Sequence, residues 1–130
     1  MAKKAATIES FVRIDEEISS GKFSPVYFFL GDETYFTDYL TSKIEKSVVP
    51  EEARSFNQTI LYGKETNGND LVSIAKRYPM MSDYQLVVVK DAQDLKDADA
   101  LVSYLENPLK STVLVMAYRK SKLDKRSKLA

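Results

Sequence analysis

The stretch Val26–Thr37 constrains the fold of this chain more than any other. It reads VYFFLGDETYFT: a run of five apolar residues, Val26 to Leu30, leads into Gly31, and an amphipathic helical pattern follows. A short apolar run, a glycine and a 3.6-residue periodicity predict a strand, a tight turn and a helix. We therefore expect the opening βα unit of a parallel α/β domain.

The turn at Gly31 lacks the chemistry of a nucleotide-binding loop. A phosphate-binding loop reads G-x-x-x-x-G-K-[ST], in which the lysine holds phosphate and the hydroxyl holds magnesium. Here Phe36, Thr37 and Asp38 stand where the second glycine, the lysine and the hydroxyl would be. The prediction is a degenerate loop with no bound cofactor, in a protein that works by binding other proteins.

The remaining elements alternate between strands and helices. Strands are predicted at 26–30, about 55–62, 86–89 and 113–117, and helices at 7–20, from Gly31 to Pro50, at 70–77 and at 95–105. Asn69 is the predicted cap of the third helix. Such alternation predicts a parallel sheet with helices on both faces. The second strand mixes polar and apolar residues and is placed at an edge, whereas 86–89 is apolar throughout and is placed centrally.

Composition excludes several classes of site. The chain has no cysteine and no histidine, and its formal net charge is zero. The lack of cysteine excludes disulfides and thiolate chemistry. The lack of histidine removes the commonest general base and the commonest metal ligand, and no metal site is predicted. The longest apolar runs fall well short of a membrane span, and the first residues lack the apolar core of a signal peptide, which favours the cytoplasm. Residues 1–130 are interpreted as a single α/β domain, and the uncapped helical pattern at the end suggests a longer chain.

Acidic residues at the predicted carboxyl ends of the strands leave an alternative open. Asp32, Glu33 and Asp91 could form a magnesium-dependent, receiver-like phosphotransfer site. The more ordinary interpretation is that these are solvated carboxylates in loops. Lys90 lies between the end of the third strand and Asp91, and these residues contain no fifth strand that would supply the lysine of a receiver site. ATP hydrolysis is disfavoured, because the phosphate-binding lysine is missing and the segment after the third strand, Lys90-Asp91-Ala92-Gln93, lacks the Asp-Glu pair of a Walker B motif. The basic segment 119–128 could contact phosphates or form the solvated face of a helix.

The corner Tyr78-Pro79-Met80-Met81 carries the second functional candidate. Proline stiffens the chain after a helix, and exposed methionine suits an apolar pocket on a partner. The alternative is that both methionines close the end of the core. From the residues alone, burial is the more ordinary outcome.

Four segments together resemble a known family. They are PVYFFLGDETYF, SFNQTILYG, PMMSDYQLVVVKDAQDL and ENPLKSTVLVMAYRKSKLDKRSKL. In order and spacing, over about residues 22–129, they resemble the start of the bacterial DNA polymerase III delta subunit, a component of the clamp loader. The resemblance implies an AAA+-type core without a functional P-loop, no ATP hydrolysis, and lid and collar domains that these residues do not contain.

The resemblance also implies partners and a site. The partners would be the sliding clamp (beta) and the other clamp-loader subunits, with DNA contacted indirectly through the complex and no membrane involved. The family's clamp contact maps onto Met80 and Met81, with Pro79, Tyr78 and Ser82 shaping the corner. The segment Lys122–Arg126 also matches the family, without an assigned role.

Overall fold

The computed structural model describes residues 8–29, 34–80 and 82–118. The helices are α1 (Ile8–Ser20), α2 (Thr34–Ser47), α3 (Arg54–Asn57), α4 (Gly68–Ala75) and α5 (Leu101–Glu106). The strands are β1 (Val26–Phe29), β2 (Gln58–Tyr62), β3 (Gln85–Lys90) and β4 (Thr112–Ala117). Short 3₁₀ turns lie at Glu51–Ala53, Gly63–Glu65, Ala92–Asp94 and Ala98–Ala100. The expected α/β alternation is therefore confirmed.

The four strands form one parallel sheet in the order β1-β4-β3-β2. β3 lies between β2 and β4, in the register Val87 opposite Thr59 and Leu114. Strand β2 is at an edge and β3 is central, as their polarity predicts. All strands run the same way, so their amino ends lie at one end of the sheet and their carboxyl ends at the other.

Helices cover both faces, which is also as predicted. On one face, α1 and α2 pack against the strands through residues such as Ile18, Leu40 and Ile44. On the other face, α4 and α5 pack through residues such as Leu71 and Leu101. The central strands are buried on both sides, which explains their uninterrupted apolar sequences. In the part of the chain that the structure describes, no helix combines the length and apolarity needed to cross a membrane.

The predicted boundaries need correction at the second strand and the third helix. The strand predicted at about 55–62 begins only at Gln58, because residues 54–57 form the helical turn α3. The helix α4 begins at Gly68, and its cap is Asn67 rather than Asn69, since the Asn67 side chain accepts a hydrogen bond from the Asp70 amide. Alternating polarity in the sequence cannot distinguish a single helical turn from the start of an edge strand.

The helix predicted from Leu95 to Leu105 is also wrong in extent. Only Leu101–Glu106 is α-helical, and Asp97 adopts a left-handed conformation with φ of 54°. A left-handed residue ends the α-helical hydrogen-bond pattern, so the chain enters α5 through a separate 3₁₀ turn. Hydrophobic spacing correctly identified the buried residues Leu95 and Leu101 but not the break between them.

Candidate functional site

The corner between α4 and β3 lies at the amino end of the sheet and exposes large apolar side chains. Tyr78 is 75% exposed and Met80 is 61% exposed, and Pro79 between them is half-buried. Met80 therefore does not close the core. Met81 lies outside the described residues.

The backbone of Met80 is held by a buried amide on another element. The Asn57 side chain, only 2% exposed, donates from Nδ2 to the Met80 carbonyl at 2.6 Å. It accepts from the Met80 amide through Oδ1 at 2.7 Å, and Nδ2 also donates to the carbonyl of Ala53 at 3.1 Å. Asn57 thus pairs with Met80 as a neighbouring strand would. The backbone is fixed while the Met80 side chain faces solvent.

The α4 end of the corner is held from the sheet. Gln85 Nε2, at the start of β3, donates to the carbonyls of Ile74 at 2.9 Å and Arg77 at 2.8 Å. The Thr112 hydroxyl donates to the carbonyl of Ala75 at 2.8 Å. These bonds satisfy the last carbonyls of α4, which have no partner within the helix. After Met80, Ser82 Oγ donates to the carbonyl of Tyr84 at 2.9 Å.

The turn α3 reverses the usual relation between polarity and burial. Phe56 is 68% exposed, while the amide of Asn57 is buried. Sequence reasoning missed both residues, because it assigned them to alternating positions of a strand with a solvated side. The local sequence gives no sign of this reversal. Asn57 is buried because it binds Met80, which lies 23 residues further along the chain.

A separate cavity lies at the carboxyl ends of the strands. It has a volume of about 370 Å³ and is lined by residues of α2, of the strand ends and of the segments that follow: Thr37, Asp38, Thr41, Ser42, Glu45, Tyr62, Lys90, Asp91, Ala117 and Tyr118. Lys90 lies 3.6 Å from a carboxylate oxygen of Glu45. Burial raises the pKa of Tyr118 to about 12. At the end of β3, the amine of Lys90 therefore faces a carboxylate of the protein itself.

The structure gives no support to a receiver-like site. Asp91 borders the cavity, but Asp32, Glu33 and the degenerate loop at Gly31 lie outside the described residues, as does Lys122–Arg126. Within residues 8–29, 34–80 and 82–118, no three acidic side chains are grouped as a metal site would require. Moreover, β1 pairs with β4, whereas in the receiver order 2-1-3-4-5 the first strand lies between the second and the third.

Comparisons with known proteins agree on one family. Residues 27–130 match the family described as DNA polymerase III, delta subunit. The chain is 31% identical over 124 residues to the DNA polymerase III subunit delta of Bacillus subtilis, covering 88% of this chain and 36% of that protein. It superimposes on a Bacillus subtilis DNA clamp loader delta protein with a TM-score of 0.83 and 29% identity, covering 92% of this chain and 38% of the other.

A more distant structure shares the fold alone. A DNA polymerase III gamma subunit-related protein from Thermotoga maritima matches with a TM-score of 0.62 at 14% identity. The α/β architecture is thus the AAA+-like one of clamp-loader proteins. This chain spans little more than a third of the length of its delta-subunit relatives. Together, the matched residues, the identity and the superposition show that the chain belongs to the DNA polymerase III delta subunit family.

Proposed function

We propose that this domain is a non-catalytic part of a clamp loader in DNA replication, and that it binds the sliding clamp through Met80 and Met81. Pro79 and Tyr78 shape the contact, and the other partners are the remaining loader subunits in the cytoplasm. Family membership supports the assignment to a clamp loader. The observation that carries the site is that Met80 is exposed while its backbone is hydrogen-bonded at both polar atoms to buried Asn57.

A rigid exposed methionine is a favourable binding element. Burying one such side chain in an apolar pocket contributes about 1.5–3 kcal/mol of transfer free energy. Binding also has an entropic cost when a mobile loop must be ordered. Asn57 holds the Met80 backbone, and Gln85 and Thr112 hold the end of α4 that leads into the corner, so we expect that cost to be small for Met80.

The role we propose in opening the clamp follows from thermodynamics. Binding shifts the clamp between closed and open rings only if the domain binds the open form more tightly. A fixed Met80 supports such a preference, since a rigid contact surface fits one arrangement of its partner better than another.

The proposal includes the absence of ATP hydrolysis by this domain. The sequence lacks the phosphate-binding lysine after Gly31, and Lys90 with its Glu45 partner occupies the end of β3. An ammonium group cannot coordinate magnesium, whose ligands are oxygen atoms. We expect no ATP turnover above background by the chain with clamp and DNA present. Turnover that saturates with ATP would contradict this part of the proposal.

The clamp contact is tested by titrating the chain with the sliding clamp of the same organism. We expect Met80→Ala to weaken binding about tenfold or more, and Met80→Ala with Met81→Ala to weaken it further, because each removes apolar contact area. Tyr62→Ala is the matched control, since Tyr62 is a half-exposed aromatic residue at the opposite end of the sheet. Equal binding by the wild type and the double variant would place the contact elsewhere.

A further inference from the structure

We infer that the clamp-binding surface continues from the corner at Met80 onto the helical turn α3, where Phe56 is a further contact residue. The inference rests on the proposed function, and it names a residue on an element that sequence reasoning had assigned to a strand. We call the combined surface of Phe56, Tyr78 and Met80 the amino-end patch.

The exposure of Phe56 is the first observation. Phe56 is 68% exposed, although Asn57 beside it in α3 and Ala53 just before α3 are both buried. The small Ala53 and the polar Asn57 are therefore buried, whereas Phe56, the largest apolar side chain of the turn, is exposed to water. Aromatic side chains grouped on a surface are typical of protein contact sites.

The physical coupling of Phe56 to Met80 is the second observation. Phe56 is adjacent in the chain to Asn57, whose side chain bonds both the amide and the carbonyl of Met80. One peptide unit and one side-chain hydrogen bond separate the two residues, so their Cα atoms lie within about 12 Å of each other. The two backbones are thus held at a fixed spacing by Asn57, close enough for one partner to cover both exposed side chains.

The charges around the patch indicate what kind of partner fits it. Exposed Lys76 and Arg77 directly precede Tyr78 in the chain, and exposed Glu51 and Glu52 come shortly before α3. Among the described residues, none of these four charges forms an ion pair with another side chain. Exposed apolar residues with neighbours of both charge signs match a protein surface of mixed charge. Nucleic acid and anionic membranes would instead favour a uniformly basic rim.

With the proposed function, this makes the clamp the occupant, through an apolar pocket bordered by charges of both signs. A second copy of this chain fits less well. A symmetric dimer would need the same patch to be self-complementary, and a few exposed apolar side chains are small beside the area that a stable homodimer buries.

The experiment compares Phe56→Ala, Phe56→Leu and Met80→Ala in titrations with the clamp, with Tyr62→Ala as the control. We expect Phe56→Ala to weaken clamp binding about tenfold. Phe56→Leu keeps apolar bulk and should stay within about threefold of the wild type. The midpoint of urea unfolding of Phe56→Ala should stay near that of the wild type, because an exposed ring contributes little to stability.

The outcomes separate this inference from the proposed function. If Met80→Ala loses binding and Phe56→Ala does not, the clamp contact stands and the extension to α3 is overturned. If neither variant changes binding, both proposals fail. Sedimentation of the chain alone gives the remaining check, since self-association that Phe56→Ala abolishes would make a second copy the occupant and would overturn the inference.

Discussion

At the residue scale, Asn57 decides the shape of the candidate site. Its side chain replaces the ladder hydrogen bonds that Met80 would otherwise make in a sheet, and it is buried while doing so. A buried amide is tolerated because its donors and acceptor have partners. The same residue therefore contributes to stability and sets the position of Met80.

Replacing Asn57 should reduce both the stability of the fold and the binding of the clamp. Asn57→Ala leaves the carbonyl and amide of Met80 without their partner, which costs about 1–3 kcal/mol of unfolding free energy. We also expect weaker clamp binding, because the Met80 backbone is no longer fixed. Urea unfolding and clamp titration measure the two effects on the same sample.

A stability-matched variant is the control for Asn57. Val115→Ala removes apolar contacts from the middle of β4, where the side chain is fully buried, and should destabilise the fold by about 2 kcal/mol. It should leave clamp binding unchanged. Equal loss of binding by both variants would show that Asn57 acts only through overall stability.

At the element scale, the loops that follow β2 and β3 are held against each other by glycines. A Cβ on Gly63 would lie 2.3 Å from the carbonyl oxygen of Asp91, and one on Gly68 would lie 1.9 Å from that of Asp97. Both aspartates adopt left-handed conformations. The backbone carbonyls of the two aspartates thus lie against Gly63 and Gly68, where any larger residue would collide with them. The contact at Gly68 also fixes the position at which α4 begins.

Gly68→Ala should therefore be strongly destabilising. The methyl group would collide with backbone rather than with a flexible side chain, so α4 or the segment at Asp97 must shift, at a cost of about 1–3 kcal/mol. Ser73→Ala, at an exposed position on the same helix, should change stability by less than about 0.5 kcal/mol. Thermal unfolding of both variants measures the difference, and similar midpoints would contradict the proposed close contact.

At the scale of the whole molecule, the parallel sheet gives the domain two different ends. The amino end carries the exposed corner and α3, and the carboxyl end carries the cavity lined by Lys90 and Tyr118. Tyr118 is buried and stacks on Phe28 of β1, with ring centroids 6.2 Å apart. Burial opposes ionisation of the Tyr118 phenol. The stability of the fold should therefore depend on pH in the alkaline range.

Stability should fall between about pH 10 and pH 12. Burial raises the pKa of Tyr118 from 10.0 to about 12, so in this window the unfolded chain loses its proton before the folded chain does. The contribution of Tyr118 to the free energy of unfolding is complete below pH 10 and decreases by up to about 3 kcal/mol as the pH rises through the pKa of the folded state. Urea unfolding at a series of pH values should show a smaller decrease for Tyr118→Phe than for the wild type. Equal decreases would exclude Tyr118 as a cause.

Local sequence features predicted much of the element pattern. The apolar strands, the edge position of β2, the helices on both faces and the corner at Pro79 follow from hydrophobic runs, periodicity and proline. Helix limits were less predictable, since Asp97 ends a helical pattern through its backbone conformation, which no spacing of apolar residues encodes.

What the sequence determined by itself is the class of fold, the family and the loss of the nucleotide-binding lysine, because runs, periods and motifs are properties of neighbouring residues. What only the tertiary structure decided is which residues of the candidate site are buried. Asn57 is inside and Phe56 outside because Met80 reaches α3 from the end of a different helix. Burial depends on contacts between distant segments, and hydropathy alone assigns these two residues the opposite way.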